Sequence, residues 1–361
     1  MHTGMLIPQS HQIFACARGC LRGVVLTAAE MNAMDRMSWI SVCENDLFDG
    51  GMEQNIIDGT ADILNKMDTR PPAVLLFISC IHLFAGCDFA IILDKLRGRF
   101  PDVDFADCYM TPTMRKSGLT PDQIMRRQLY SLLRPVRISK KYVNLIGNDR
   151  ATDESSELVS MLRGAGFEIR DITHCKTYGE YLKMAESAVN ITYIPAATAA
   201  GEELERRLGQ KHLYLPLSYS YKEITENYRK FADTFGIRAP DFSAAAAGAD
   251  GALDAAHRMM GNIPVEIDYT STPRPLGLAR LLLERGFAVR KIYADSFTGE
   301  ERTDFTWIKE NAPELLISAT VHAKMRFAAR RAQGGKVLAI GQKAAYFSGT
   351  PCREDGRRLS A

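Results

Sequence analysis

The sequence predicts an α/β protein made of three Rossmann-like, doubly wound parallel-sheet units. Three observations predict it. Residues 73–78, 142–147 and 336–341 are largely apolar runs of strand length without strict alternation, the pattern of strands covered on both faces. Segments with apolar residues three and four apart follow these runs, as amphipathic helices require. Gly and Pro fall mostly between the two kinds of segment. Strand and helix alternate along the chain, which argues for parallel sheets with helical crossovers. The expected units are residues 1–140, 141–238 and 239–361.

Composition narrows the function. The 361 residues are 46% hydrophobic and 24% charged, an ordinary globular balance. The net charge of +2 gives no electrostatic case for nucleic acid or a membrane surface. No apolar run approaches the roughly 20 residues that span a bilayer. Residues 1–20 lack a basic region followed by a long apolar core, so they do not read as a signal peptide. The expected location is cytoplasmic, and the eight cysteines are expected to be thiols or metal ligands.

In the first unit, Cys16 and Cys20 precede a helix that starts near Gly23-Val24-Val25, and helical spacing places both thiols on one face. Arg18 and Arg22 beside them favour thiolate. The bland alternative is a helix start with two small packing residues. Residues 36–42 form a short strand ending at Cys43. Glu44, Asp46 and Asp49 follow; they read as a solvated loop capping the next helix, with a divalent metal site as the alternative. Met52, Ile56, Ile57, Ile63 and Leu64 give that helix its stripe.

Pro71-Pro72 opens the strand at 73–78, which ends at Ser79-Cys80. A short loop then reaches Gly86-Cys87-Asp88, before a helix with Phe89, Ile92, Leu93 and Leu96 on one face. Cys80 therefore sits where open α/β sheets bind ligands, at a strand's carboxyl end. A thiol there ligates a metal, attacks a substrate or is an inert core residue. His82 and Cys108 read as structural. Residues 103–105 form a strand, 108–113 a loop, Arg115-Lys116-Ser117-Gly118 a basic turn, and 123–134 a helix.

This part of the chain resembles component 1, the catalytic component, of the nitrogenase family, which includes the nitrogenase-like reductases of tetrapyrrole biosynthesis. Cys16-Ala17 followed by Gly23-Val24-Val25 matches a recurrent family opening. Cys43 falls near the position of a second family cysteine, although Ser41-Val42 stands where the family has a His-Gly-Pro-type turn. Cys80, Gly86 and Asp88 match a third cysteine and its Gly-Asp-Asp turn, with Cys87 in place of the first Asp. Residues 46–64 resemble the Phe-Gly-Gly turn and helix in between, and Leu215-Pro216-Leu217-Ser218-Tyr219 loosely matches a later Gly-Pro-type region. The resemblance implies a nitrogenase component 1 type fold. It implies an iron–sulfur cluster, 4Fe-4S in type, on Cys16, Cys43 and Cys80, shared at a subunit interface. Cys20 and Cys87 are the alternative ligands. Four thiolates are usual, so three from one chain leave the set to be completed by a second component 1-type subunit, identical or different.

The remaining chain repeats the pattern. Helices are expected at 153–164, 178–187, 199–208 and 221–236, and strands at 168–172, 190–194 and 212–217. His174-Cys175 lies in a loop without a third ligand nearby. Residues 239–251 read as a linker or a poorly constrained helix start. Strands at 264–269, 288–293 and 314–318 and helices at 275–285, 304–311 and 324–333 complete the third unit. The family's larger members hold a further cofactor on a cysteine and a histidine, and neither Cys175 nor His322 maps onto them. There is no GxGxxG or GxxxxGK[ST] motif, so ATP-driven work would need a separate protein.

The resulting expectation is an oxidoreductase component. It takes electrons from an ATP-dependent iron protein and passes them to a small-molecule substrate in a cleft between domains. Two other classes stay open on the residues alone: a non-catalytic scaffold or carrier for cluster assembly, and a metal-free small-ligand-binding α/β protein.

Overall fold

A computed structural model describes residues 2–48, 50–111, 118–327 and 336–349. The chain divides into two compact units, Met1–Tyr214 and Leu215–Ala361. The first begins with β1 (Ser10–Cys16), α1 (Arg18–Glu30), β2 (Met37–Ser41), a short α2 (Glu44–Phe48) and α3 (Met52–Lys66). It continues with β3 (Ala73–Ser79), α4 (Cys80–Phe84), α5 (Phe89–Arg99), β4 (Asp104–Met110) and α6 (Pro121–Leu129). The four strands form one parallel sheet in the order β2-β1-β3-β4.

Every residue of β1 and β3 is buried, which explains their unbroken sequence pattern. Side chains nonetheless alternate between faces. Phe14, Cys16, Leu75, Phe77 and Cys108 enter one core, and Ile13, Ala15, Val74, Leu76 and Ile78 the other. Phe14 and Phe77 stack across the pair at 4.4 Å.

A second parallel sheet completes the first unit. It comprises β5 (Ser139–Leu145), α7 (Glu157–Gly164), β6 (Glu168–Asp171), α8 (Tyr178–Leu182), β7 (Ser187–Thr192), α9 (Thr198–Leu208) and β8 (Lys211–Tyr214), in the order β6-β5-β7-β8. A polar ladder runs through its interior. Asn144 donates to Asn190 (2.7 Å) and to the Met184 carbonyl (2.9 Å), and Asn190 donates to Gln210 (3.1 Å). The Gln210 amide donates to the carbonyls of Met184, Ala185 and Ser187. All three side chains are fully buried, so register is fixed by hydrogen bonds that a slipped strand would lose.

The second unit holds α10 (Tyr221–Phe235), α11 (Ser243–Met260), β9 (Val265–Asp268), α12 (Pro275–Glu284), β10 (Val289–Tyr293), α13 (Arg302–Asn311), β11 (Leu316–Ser318), β12 (Leu338–Ile340) and α14 (Gln342–Ser348). Its parallel sheet has the order β11-β10-β9-β12. In all three sheets the first strand is internal, and the order reverses beside it. The three-sheet α/β architecture is the one the sequence predicts.

Several local expectations change. The segment after β3 is helical at once, because Ser79 and His82 cap α4 reciprocally. The strand at 103–105 runs on to Met110 through Cys108, paired with β3. The helix expected over 123–134 ends at Leu129, and that over 178–187 finishes as a 3-10 turn before β7. Of the two readings of the Ala-rich stretch, linker or helix start, the second holds from Ser243, since alanine's propensity outweighs two interior glycines. Of the helix expected at 324–333, the described part is a 3-10 turn, Ala323–Phe327. Residues 328–335, Asp49, and Arg115, Lys116 and Ser117 of the basic turn lie outside the described residues.

Two outcomes test this packing. Asn190→Ala leaves Gln210 Oε1 without its partner and removes one acceptor from Asn144, and should cost about 2–3 kcal/mol in urea unfolding. His11 is buried with Nε2 2.9 Å from the Ser38 hydroxyl, and burial, then the nearby Arg36 charge, lowers its pKa to about 4. The unfolded state therefore binds a proton first. Stability from this group is complete above about pH 6.5 and is lost as the pH falls toward 4, by at most about 1.4 kcal/mol per unit. The urea midpoint should fall over that window, and less so in His11→Gln.

Candidate metal centre

The order β2-β1-β3 brings the three candidate thiols to one edge of one sheet. Cys16 is the last residue of β1, Cys43 follows β2 by two residues, and Cys80 immediately follows β3. Register aligns them: Cys16 faces Ser41, and Ala15 faces Ile78. Cys80 is thus one residue beyond the position on β3 that continues this register to Cys16. Strands lie about 5 Å apart, so the three strand ends are direct neighbours.

Their environments differ. Cys16 is fully buried in the core that holds Phe14, Phe77 and Leu21. Burial, helped by Cys20, pushes its thiol up to about 12. Cys43 is exposed, and its backbone N–H donates to Asp46 Oδ2 (2.6 Å), which ties the thiol-bearing turn to α2. Glu44 and Asp46 thus lie within α2 and not in the expected loop, and the helix they were expected to cap, α3, begins after Gly51 without a side-chain cap. Cys80 is half-buried at the first position of α4, and its Sγ lies 3.7 Å from the Met110 carbonyl that accepts from it.

The two spare thiols also lie close to this edge in the chain. Cys20 is exposed in the first turn of α1. That helix begins without a side-chain cap and with no acidic residue in its first turn, while Arg18 and Arg22 are exposed beside it. The end is electropositive from both dipole and side chains. Cys87 is half-buried; burial and then Glu53 raise its pKa. Asp88, next to it, caps α5 by accepting from Ala90 and Ile91. Phe84, between Cys80 and Cys87, is 74% exposed.

Among the described residues no three His, Cys, Asp or Glu side chains form a group that could hold a metal ion. One chain therefore presents thiols along an edge and not a closed cage. Cys108 faces the core from within β4, with its pKa raised by burial. Cys175 donates to the Asp171 carbonyl beside the second sheet. His322, in the second unit, accepts from the Lys324 N–H. All seven described cysteines are free.

His82, read as structural, caps α4 together with Ser79. It is fully buried, and burial lowers its pKa. Its Nδ1 accepts from the Ser79 N–H at 3.2 Å, while its Nε2 has no partner among the described residues. The available signal was the Ser-x-x-His spacing at a strand end, read across Cys80.

The family described as nitrogenase component 1 type oxidoreductase is matched over residues 2–341. The chain belongs to that family. Its fold is also similar to solved structures of nitrogenase Cp1. At pH 6.5 the TM-score is 0.66 at 12% identity, covering 96% of this chain and 76% of that one. At pH 5 it is 0.55 at 14% identity, covering 82% and 64%. At such identities the likeness is one of fold. No curated protein matches. No helix among the described residues is long and apolar enough to cross a membrane.

The donor chemistry fits an iron–sulfur group: thiols at three adjacent strand ends and an electropositive helix end. Thiol labelling tests the arrangement in metal-free protein, with Cys352, which lies outside the described residues, replaced by Ala. Cys20 and Cys43 should react with a maleimide within the mixing time, and Cys16 and Cys108 only on unfolding, as read by peptide mass spectrometry.

Proposed function

We propose that this family member is the redox component of a nitrogenase-like reductase. It would hold an iron–sulfur cluster on Cys16, Cys43 and Cys80 together with thiols of a second component 1-type subunit. Electrons would come from an ATP-dependent iron protein and leave to a small-molecule substrate. The observation that carries this reading is the alignment of three thiols on the carboxyl ends of three adjacent parallel strands, in a chain of this family.

When bound, such a cluster supplies one-electron storage at a potential set by its surroundings. The chain's own residues supply the rest. Cys43 and Cys80 offer accessible sulfurs held on capped turns. Cys16 offers a buried one, on a strand paired on both sides. Its thiol keeps its proton until a cation replaces it, since coordination deprotonates a thiol outright. The α1 end with Arg18 and Arg22 offsets the negative charge of the thiolates. Free thiols throughout the described residues agree with a reducing, cytoplasmic setting.

Anaerobic reconstitution with iron and sulfide, followed by metal assay and EPR before and after dithionite, tests the reading. About four iron and four sulfide ions per cluster are expected, with bleaching on reduction. Cys80→Ser should abolish the signal and Cys175→Ser should leave it. A folded, colourless protein after reconstitution, free of iron, would overturn the reading.

A further inference from the structure

The first unit carries an open groove of about 630 Å³ that the proposed function does not use. Its size is in the range of small-molecule sites, about 300–1,000 Å³. It lies along the amino-terminal half of β4, from Val103 to Asp107. Met110, whose carbonyl meets Cys80, is at the other end of that strand. The groove is therefore separate from the thiol edge.

Topology makes the groove. β4 ends the sheet order and pairs with β3. The Asp104 N–H donates to the Pro72 carbonyl (2.9 Å), so that residue faces β3, and the backbones of Phe105 and Asp107 face the open edge. Helix α5 covers one face of the sheet there, and Leu129 to Leu133 cover the other. Each side brings arginine. Arg97 comes from α5, Arg134 directly follows the segment on the other face, and Arg207 reaches that segment from α9.

An added strand is a poor occupant. The Arg97 guanidinium donates to the outward Phe105 carbonyl (3.3 Å), which a strand would need. Asp104, Asp107 and Arg134 put further charge along the edge, and charged edges resist strand addition.

The charges favour an anion. Three guanidiniums line the groove against two carboxylates, and both carboxylates also accept from tyrosine hydroxyls, Asp104 from Tyr178 (2.7 Å) and Asp107 from Tyr109 (3.0 Å). Arg207 donates to the neutral carbonyls of Tyr130 and Leu133. Its ion pair with Glu203 is long (3.8 Å), and Arg206 engages that carboxylate at 2.7 Å. A guanidinium has five N–H donors, and Arg97 and Arg134 are exposed, so each can take a further acceptor. Pro101, Val103, Leu132 and Pro135 give apolar walls between the charges.

We propose that this groove binds a small organic dianion with an apolar body, one acidic group meeting Arg97 and the other Arg134 and Arg207.

Calorimetric titration of the full chain tests it with three probes of one shape: biphenyl-p,p′-dicarboxylate, p-phenylbenzoate and the neutral biphenyl dimethanol. The dianion should bind once per chain with Kd below about 1 mM. The monoanion should bind about threefold more weakly, and the diol should give no binding heat. Arg97→Gln and Arg134→Gln should each weaken the dianion about threefold, the size of one exposed ion pair. Arg163→Gln, on α7 and outside the groove, should leave it unchanged. In wild type, the dianion should protect Arg97 and Arg134 from phenylglyoxal, read by peptide mass spectrometry, and leave the exposed Arg163 reactive. This readout does not depend on how the variants fold. No binding, equal binding of the diol, an affinity that both groove variants leave unchanged, or no protection of Arg97 and Arg134 would each overturn the proposal. None of these results bears on iron uptake, so the cluster reading stands or falls separately.

Discussion

The pairing of β1 with both β2 and β3 is the constraint on which the rest depends. Parallel pairing puts all three carboxyl ends on one edge, and the register sets how far each chain overshoots it. Cys16 stops at the edge, Cys80 overshoots by one residue and Cys43 by two. Helices then fix the turns: Asp46 holds the Cys43 backbone, and Ser79 with His82 caps the turn that begins at Cys80. Antiparallel pairing would scatter the same cysteines over two edges. The chemistry of the site is thus a consequence of topology before it is one of any single residue.

The edge joins two kinds of sulfur. Cys43 and Cys80 can adjust, because one is exposed and the other half-buried on a short helix. Cys16 cannot, because its strand is paired on both sides and its side chain lies within a packed core. In the proposed reading the buried Cys16 would fix where a metal group sits, and the more exposed Cys43 and Cys80 would meet a partner subunit. Phe84, four residues after Cys80, is exposed on the same stretch of chain.

Much of the fold was legible in the sequence because parallel strands buried on both faces leave continuous apolar runs, as 73–78 does. Cys80 was legible as a strand-end residue for the same reason and Cys43 through the alternation of 36–42, whereas Cys16 was read only as preceding a helix and β1 was not read as a strand. What was not legible follows from competing local forces. The Ala-rich 239–251 stretch left a linker and a helix start both open, because its glycines were weighed against its alanines; it is helical from Ser243. The α4 turn was hidden because its helical hydrogen bonds start from a cap, Ser79–His82, that a strand-to-loop reading passes over. Which face Cys16 occupies was also hidden, since both faces of β1 are apolar and alternation carries no information there. The acceptor role of His82 Nδ1 exists only once the Ser79 N–H and the ring meet in space.

The most direct measurement is iron K-edge X-ray absorption on the anaerobically reconstituted protein, with Cys43→Ser as comparison. If the strand-end thiols hold the metal, the first shell is all sulfur with iron neighbours just beyond it, and Cys43→Ser replaces or loses part of that sulfur shell. A first shell of nitrogen and oxygen, or a spectrum that Cys43→Ser leaves unchanged, would contradict the account.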